Sequence, residues 1–276
     1  MPALPIRLLL CLLLFPTLSL AAPPSVDLDP ANAGGLSPDV ALRFLEGSAP
    51  VPIAPSAEVN DPDGDATDEL VLELSPAFPE DRLEAQPGDT GIGVNWDGTT
   101  LRLVGPASTA AFQRVLRTAT FSAAGRNPDP TPRDISVTVV DGAEVSAPVS
   151  AVVSIQTVND PPSLDLNPST EGRDHLQPLP APPAAVSLCP DAVVSDIDDD
   201  VLRGASVERI AGAPGDALSA TAAGTGVTVA AEANGDLRLT GEAPVAVYQE
   251  LLRSLRMAPA DADADRVVAE IGRAHV

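Results

Sequence analysis

The segment RDISVTVVDG, residues Arg133–Gly142, is followed almost at once by VSAPVSAVVSIQTV, residues Val145–Val158. In the first segment Ile135, Val137 and Val139 alternate with polar residues, so a strand would present all three to one face. The Asp-Gly pair that ends this segment is typical of a tight turn between antiparallel strands. The two segments therefore predict a strand, a turn and a returning closing strand, as an antiparallel β-sandwich requires.

An internal repeat extends this prediction to a second unit. IAPSAEVNDPDGD at Ile53–Asp65 aligns with LCPDAVVSDIDDD at Leu188–Asp200, 135 residues later. LRLVGPASTAAFQRVLRTATF at Leu101–Phe121 aligns with LRLTGEAPVAVYQELLRSLRM at Leu237–Met257, 136 residues later. Because the matching segments keep their order, we predict an all-β chain of tandem Greek-key β-sandwich repeats, of which the second is truncated.

One segment of each repeat departs from the strand pattern. AAFQRVLRT in the first repeat and its counterpart in the second place apolar residues at helical spacing. We predict a short helix or turn that packs these residues on each sandwich: Phe112, Val115, Leu116, Tyr248, Leu251, Leu252 and Leu255.

The two ends of the sequence are set apart from the two predicted repeats. A short basic start and the apolar run Leu8–Phe15 are typical of a secretory signal peptide, with cleavage after Ala21. The final EIGRAHV resembles a translated sequencing adaptor. We therefore divide the chain into a signal peptide (1–21), a first repeat (22–158), a linker (159–163), a truncated second repeat (164–269) and a tail of artificial origin (270–276).

Composition restricts the compartment and the partners. The signal peptide predicts a secreted or cell-surface protein, and the net charge of −23 argues against nucleic acid and anionic membranes as partners. Cys11 is removed with the signal peptide, so Cys189 has no disulfide partner within the mature sequence.

Both repeats contain a cluster of aspartates after an early strand. In an extended segment Asp61 and Asp63, and likewise Asp196 and Asp198, would project their carboxylates to the same side. Two such carboxylates repel each other unless a cation neutralises them, and Ca²⁺ is the oxygen-seeking ion expected outside the cell. The alternative is a solvated Asp-rich turn in an acidic protein.

An EF-hand is excluded by the residues that follow the aspartates. The sixth position of such a loop requires glycine, but the two clusters have Ala66 and Val201 there. The twelfth position requires glutamate, and the two clusters have Leu72 and Val207. Any metal site must therefore be of another type.

The order of the short motifs resembles that of cadherin-like extracellular tandem repeats. FLEG places Glu46 near the start of the first repeat, a D-x-D turn follows an early strand, and a D-G turn precedes the last strand. The segment TVNDPPSLDL at Thr157–Leu166, which contains a V-N-D-x-P linker, joins the repeats. The resemblance covers nearly all of the mature sequence and implies cadherin-like or immunoglobulin-like sandwiches.

In cadherins Ca²⁺ is held by the early glutamate of one repeat, the linker, and the D-x-D turn of the next. The resemblance therefore implies five metal ligands in this chain: Glu46, Asn159, Asp160, Asp196 and Asp198. Asp61, Asp63 and Asp141 would face a preceding repeat, so they rank below these five.

An enzyme is the weakest hypothesis, because one of the two histidines, His275, lies in the predicted tail and His175 lies in a proline-rich segment. We therefore expect a Ca²⁺-binding repeat region that acts in cell adhesion or in binding other extracellular or cell-surface proteins. The alternative is a metal-independent structural spacer of a larger secreted or membrane-anchored protein. The two hypotheses differ in whether replacing Asp196 and Asp198 by asparagine has any effect.

Overall fold

A computed structural model describes residues 22–32, 38–64, 66–172, 184–209 and 215–260, together with the backbone of residues 274–275. The predicted signal peptide lies outside the described residues, as does the predicted tail apart from that two-residue stretch of backbone. The chain divides into two units. The first comprises residues up to Ala124 and Pro128–Gln156, and the second comprises Gly125–Asn127 and the residues from Thr157 onward.

The elements of the first unit, in chain order, are β1 (Ser25–Asp27), β2 (Val40–Leu45), β3 (Val51–Pro52), β4 (Glu58–Asn60), β5 (Thr67–Ser75), β6 (Asp81–Glu84), β7 (Gly93–Trp96), β8 (Thr100–Ala107), α1 (Thr109–Leu116), β9 (Thr120–Ala123), β10 (Arg133–Asp141), β11 (Glu144–Val145) and β12 (Val149–Gln156). They form a large sheet in the order β2-β12-β10-β5-β8-β7, with β11 paired to β10, and a smaller sheet in the order β3-β9-β6. A separate pair joins β1 to β4. All of these pairings are antiparallel except that between β12 and β2.

The core of the first unit lies between the large and the small sheet. Phe44 of β2 and Phe121 of β9 meet edge to face, with ring centroids 5.6 Å apart, so this contact spans the two sheets. The alternation predicted for β10 is confirmed, because Ile135, Val137 and Val139 are all fully buried. Each such side chain contributes about 1.5–3 kcal/mol of burial free energy, which explains why the register of β10 is fixed.

The elements of the second unit are β13 (Ser163–Asp165), β14 (Val186–Ser187), β15 (Val193–Ser195), β16 (Val201–Val207), β17 (Ala217–Ser219), β18 (Thr228–Ala231), β19 (Leu237–Pro244), α2 (Val245–Arg253), β20 (Arg256–Ala258) and β21 (Ala274–His275). Their sheets have the orders β18-β19-β16-β21, β14-β20-β17 and β13-β15. These orders repeat β7-β8-β5-β10, β3-β9-β6 and β1-β4 of the first unit. The predicted all-β, tandem-sandwich fold is thereby confirmed.

The two helices form where the apolar spacing predicts them. In α1 the Oγ of Ser108 accepts the backbone N–H of Ala111 at 3.3 Å and so caps the first turn, whereas Pro244 begins α2 without a side-chain cap. Phe112 of α1 and Tyr248 of α2 occupy equivalent positions, and both are fully buried. The short helices therefore belong to the hydrophobic cores of their units.

Candidate functional site

Each unit carries one acidic turn directly after a short strand. The first acidic turn, Asp61–Gly64, follows the end of β4, and the second acidic turn, Asp196–Asp200, follows the end of β15. Both strands run beside the helix of their own unit, which makes the helix a support for the turn.

Two side chains, one in α1 and one at the C-terminus of this helix, hold β4 and the residue before this strand in place. Gln113 Oε1 accepts the backbone N–H of Val59 at 3.1 Å. Arg117 Nε donates to the backbone carbonyl of Ala57 at 2.8 Å. The backbone immediately before the first acidic turn is therefore anchored to the core through the helix.

The second unit repeats the same two hydrogen bonds. Gln249 Oε1 accepts the backbone N–H of Val194 at 3.1 Å, and Arg253 Nε donates to the carbonyl of Ala192 at 2.9 Å. The role of these residues was not predicted from the sequence. The signal that could have revealed it is the presence of a glutamine and an arginine, four residues apart, at equivalent places in both repeats.

The second acidic turn is a side-chain-stabilised turn and not the extended segment that the sequence predicts. Asp196 Oδ1 accepts the backbone N–H groups of Asp198 at 3.0 Å and Asp199 at 3.2 Å. The extended conformation assumed for Asp196–Asp198 is therefore wrong. An aspartate that bonds to the backbone two residues later offers the chain a turn in place of a ladder pairing.

Two carboxylate oxygens of this turn are buried without a hydrogen-bond partner. They are Asp196 Oδ2 and Asp198 Oδ1. The other oxygen of Asp198 accepts the backbone N–H of Asp160, and Asn159 Nδ2 donates to the carbonyl of Asp160 at 3.1 Å. Four of the five predicted ligands thus belong to one connected group in the second unit.

Asp160 is paired with Arg126, which no sequence motif indicates as a functional residue. Arg126 Nε donates to Asp160 Oδ2 at 2.7 Å, and Arg126 Nη2 contacts Asp160 Oδ1. The hydrogen bond from Arg126, and to a smaller extent its charge, hold the pKa of Asp160 below its ordinary value, while partial desolvation acts in the opposite direction. Arg126 lies in the loop GRNPDP, which carries no recognisable motif.

The first acidic turn has matching geometry. Asp61 is 8% exposed, its Oδ1 accepts the backbone N–H of Asp63 at 3.3 Å, and its Oδ2 is buried without a hydrogen-bond partner. Asp63 Oδ2 accepts a hydrogen bond from the backbone N–H of Ala22, with 2.6 Å between the nitrogen and the oxygen. Ala22 lies three residues before the start of β1, and Asp160 lies three residues before the start of β13. Both acidic turns therefore accept a backbone N–H from the equivalent position of their unit.

Glu46 belongs to the first unit, where it directly follows β2, and its backbone N–H donates to the carbonyl of Gln156 at 2.9 Å. Asp141 ends β10 and is paired with Glu144 of β11. Within the described ranges, no group of three or more Asp, Glu, His or Cys side chains is arranged to hold a metal ion. The assignment of Glu46, Asn159, Asp160, Asp196 and Asp198 to one ion therefore stays a prediction.

No protein-family model matches this sequence, and no curated protein matches it. Among solved structures, the chain is similar to mouse cadherin-23 EC22–24, at 12% identity and a TM-score of 0.29, over 80% of this chain and 55% of that chain. It is also similar to the C-terminal domain of the Streptococcus agalactiae AgI/II polypeptide BspA, at 12% identity and a TM-score of 0.24, over 86% of this chain and 88% of that chain. Protocadherin gamma B2 extracellular cadherin domains 3–6 match at 12% identity and a TM-score of 0.25, over 73% of this chain and 37% of that chain.

This chain thus spans about half the length of the cadherin-23 fragment. Because all three TM-scores lie below 0.5, the assignment of the sandwich fold depends on the strand pairings themselves. Of the helices in the described ranges, none has the length and apolar character needed to cross a bilayer.

Proposed function

We propose that this chain is an extracellular, Ca²⁺-binding repeat region that acts in cell adhesion or in binding other extracellular or cell-surface proteins. The ligands in the second unit are Asn159, Asp160, Asp196 and Asp198. Glu46 of the first unit is the fifth proposed ligand, on the strength of the sequence resemblance.

The observation that carries the proposal is the pair of buried oxygens Asp196 Oδ2 and Asp198 Oδ1, which have no hydrogen-bond partner. A carboxylate oxygen that is removed from water without a partner destabilises the folded state, so such atoms require compensation. Carboxylate and amide oxygens are the ligands that Ca²⁺ prefers, and this group supplies both kinds. The residues present therefore fit the ion.

The first unit supports the same interpretation. Asp61 Oδ2 is buried and without a partner, as is the equivalent atom Asp196 Oδ2. A chance arrangement of one loop would not be expected to recur at the equivalent atom of a second repeat. The recurrence favours a selected property of the turn, and a bound cation would neutralise the oxygen in each case.

Calorimetric titration of the chain with Ca²⁺ tests the proposal most directly. The variant Asp196→Asn with Asp198→Asn should lose Ca²⁺ uptake at the second unit, because it removes both charges whose oxygens lack partners. The control Asp199→Asn with Asp200→Asn also removes two negative charges from this run of sequence but leaves the partnerless oxygens of Asp196 and Asp198 in place. It should keep the uptake.

Stability provides a second measurement. Ca²⁺ at one hundred times its dissociation constant should stabilise the folded second unit by about 2.7 kcal/mol. Identical melting curves with Ca²⁺ and with a chelator, together with no heat of binding, would instead identify the chain as the metal-independent spacer. Mg²⁺ serves as the ion control, because its demand for near-ideal octahedral geometry suits an irregular turn poorly.

Adhesion is tested separately from ion binding. Beads coated with the chain should attach to cells in millimolar Ca²⁺, the range in which extracellular Ca²⁺ modules bind the ion, and should detach in chelator. Beads coated with the Asp196→Asn, Asp198→Asn variant should not attach in either condition. Attachment that is equal for both proteins would refute a calcium-dependent adhesive role.

A further inference from the structure

The guanidinium of Arg126 engages both oxygens of the Asp160 carboxylate. Arg126 Nε donates to Oδ2 at 2.7 Å, and Nη2 contacts Oδ1. Such a two-point contact between a planar guanidinium and a carboxylate is stronger and more specific than a single ion pair. It also uses the oxygens that Asp160 would offer to a metal ion.

The segment that carries Arg126 is attached to the second acidic turn at a further point. Asn127 Nδ2 donates to the backbone carbonyl of Ile197 at 2.8 Å. Asn127 has a φ of 58°, a left-handed conformation that asparagine tolerates better than most residues. Two consecutive residues thus contact the acidic group, one through charge and one through the backbone of the turn.

Asp160 in turn connects Arg126 to the two aspartates that carry the buried oxygens. The backbone N–H of Asp160 donates to Asp198 Oδ2, so Asp160 links Arg126 to the group with partnerless oxygens. The local charge is strongly negative, because Asp196 and the run Asp198–Asp200 lie in the same turn. A positive group at Asp160 lowers the repulsion among these carboxylates, as a bound cation would.

We infer that Arg126 is a built-in counter-ion of the second acidic turn that competes with a divalent cation for Asp160. This inference rests on the proposed Ca²⁺ site. Arg126 stabilises the turn when no ion is bound, and it must release Asp160 before that carboxylate can ligate an ion. It therefore sets the affinity of the site and limits occupancy to conditions of high Ca²⁺.

The variant Arg126→Gln tests this role. Arg126 is 59% exposed, so glutamine can replace it without leaving a cavity. Calorimetric titration at low salt should show Ca²⁺ binding to the variant about two- to fivefold more tightly than to the wild type, because the affinity gained cannot exceed the strength of the exposed ion pair that is removed. The difference in Ca²⁺ affinity between the variant and the wild type should shrink in 0.5 M NaCl, where the Debye length is about 4 Å. The reason is that the charge of Arg126 is exposed to solvent and is therefore screened by salt.

Arg238→Gln is the matched control, because it removes the same charge from the same unit. Arg238 is 63% exposed and is paired with Glu232 at 2.8 Å, outside the acidic turn. This control should change the Ca²⁺ affinity by less than about twofold. The comparison separates local competition from the effect of net charge.

A metal-free measurement tests the counter-ion role without Ca²⁺. In chelator, Arg126→Gln and Asp160→Asn should each destabilise the second unit, and the double variant should destabilise it by less than the sum. The expected coupling corresponds to a two- to fivefold change in the unfolding equilibrium constant, the range of exposed ion pairs. Tyr248, the single tyrosine of the chain, reports unfolding of this unit.

The outcomes distinguish the inference from the proposed function. Tighter Ca²⁺ binding by Arg126→Gln alone, with coupling in chelator, supports the inference. Ca²⁺ binding that is equal in the wild type, Arg126→Gln and Arg238→Gln overturns the competition and leaves the Ca²⁺ site intact. Absence of Ca²⁺ binding by the wild type and by Arg126→Gln overturns both.

Discussion

The pair Asp81–Arg133 lies in the interior of the first unit, and both side chains are fully buried. Arg133 Nε donates to Asp81 Oδ2 at 2.8 Å, and Nη2 donates to Oδ1 at 3.1 Å. Arg133 Nη1 donates to the carbonyl of Asp129 at 2.8 Å, and the guanidinium carbon lies 4.1 Å from the ring centroid of Phe78. The buried guanidinium of Arg133 is therefore surrounded by partners. Removing the carboxylate of Asp81 while Arg133 remains should strongly destabilise the first unit.

Asp81→Ala would leave the guanidinium of Arg133 buried without a counter-charge. Breaking a buried pair from one side costs about 3–5 kcal/mol, which is a large share of the 5–15 kcal/mol that stabilises an ordinary domain. A loss of 1 kcal/mol lowers the melting temperature of a domain of about 150 residues by about 2–4 °C, so the melting temperature of the first unit should fall by roughly 6–20 °C.

Fluorescence can follow the first unit separately. Trp96 is the single tryptophan of the chain and lies in β7 of the first unit, whereas the single tyrosine, Tyr248, lies in α2 of the second. In Asp81→Ala, the thermal transition seen by Trp96 should move to lower temperature by this amount. The transition seen by Tyr248 should reflect the second unit and move less.

Two controls make the result interpretable. Glu69→Ala breaks the more exposed Arg102–Glu69 pair, whose atoms are 3.1 Å apart, and should cost less than about 1 kcal/mol. Asp81→Leu combined with Arg133→Met removes both charges and should recover much of the loss, because an apolar pair of similar volume can replace a buried ion pair. The reasoning is refuted if Asp81→Ala costs no more than Glu69→Ala.

Three further predictions concern individual side chains. Ser108→Ala removes the cap of α1 and should lower the free energy of unfolding of the first unit by about 1 kcal/mol in urea titration followed by Trp96 fluorescence, while Ser108→Thr should keep most of it. Hydrogen bonds from Thr99 and Thr100 hold the pKa of Asp97 below its ordinary value of about 3.9. The contribution of these hydrogen bonds to stability is therefore present above about pH 4 and is lost as the pH falls through the lowered pKa. The difference in melting temperature between the wild type and Asp97→Ala should be constant above about pH 5 and should shrink in acid. Burial raises the pKa of the Cys189 thiol to about 11, so iodoacetamide at pH 8 should modify it, as read by mass spectrometry, only after urea unfolds the second unit.

Periodicity predicted the elements whose side chains face a core. The alternation of Ile135, Val137 and Val139 and the helical spacing around Phe112 and Tyr248 depend on burial alone, and burial leaves a regular pattern in a sequence. The repeat then transferred the same prediction from one unit to the other, because both bury residues at equivalent positions.

The acidic turns could not be predicted in the same way. The strand geometry assigned to Asp196 and Asp198 was wrong, because the side chain of an aspartate can bond to its own backbone and override an extended conformation. The pairing of Arg126 with Asp160 joins residues 34 positions apart, and no periodic pattern records such a contact. Polar geometry of this kind depends on where the folded chain brings its loops.

The strand that leads into each acidic turn is held by the hydrophobic core of its unit. In each unit a glutamine and an arginine of the helix and its C-terminus bond to the strand that leads into the turn, and the helix itself is buried against the sandwich. Small metal domains that lack such support unfold when their metal is removed. Here the strand before each turn is held by the helix, so a cation at this position would act on the charge of the partnerless oxygens and leave the strand pairing unchanged. Removal of the proposed Ca²⁺ ion should accordingly weaken the second unit without unfolding it, and far-ultraviolet circular dichroism in chelator should keep its β-sheet signal.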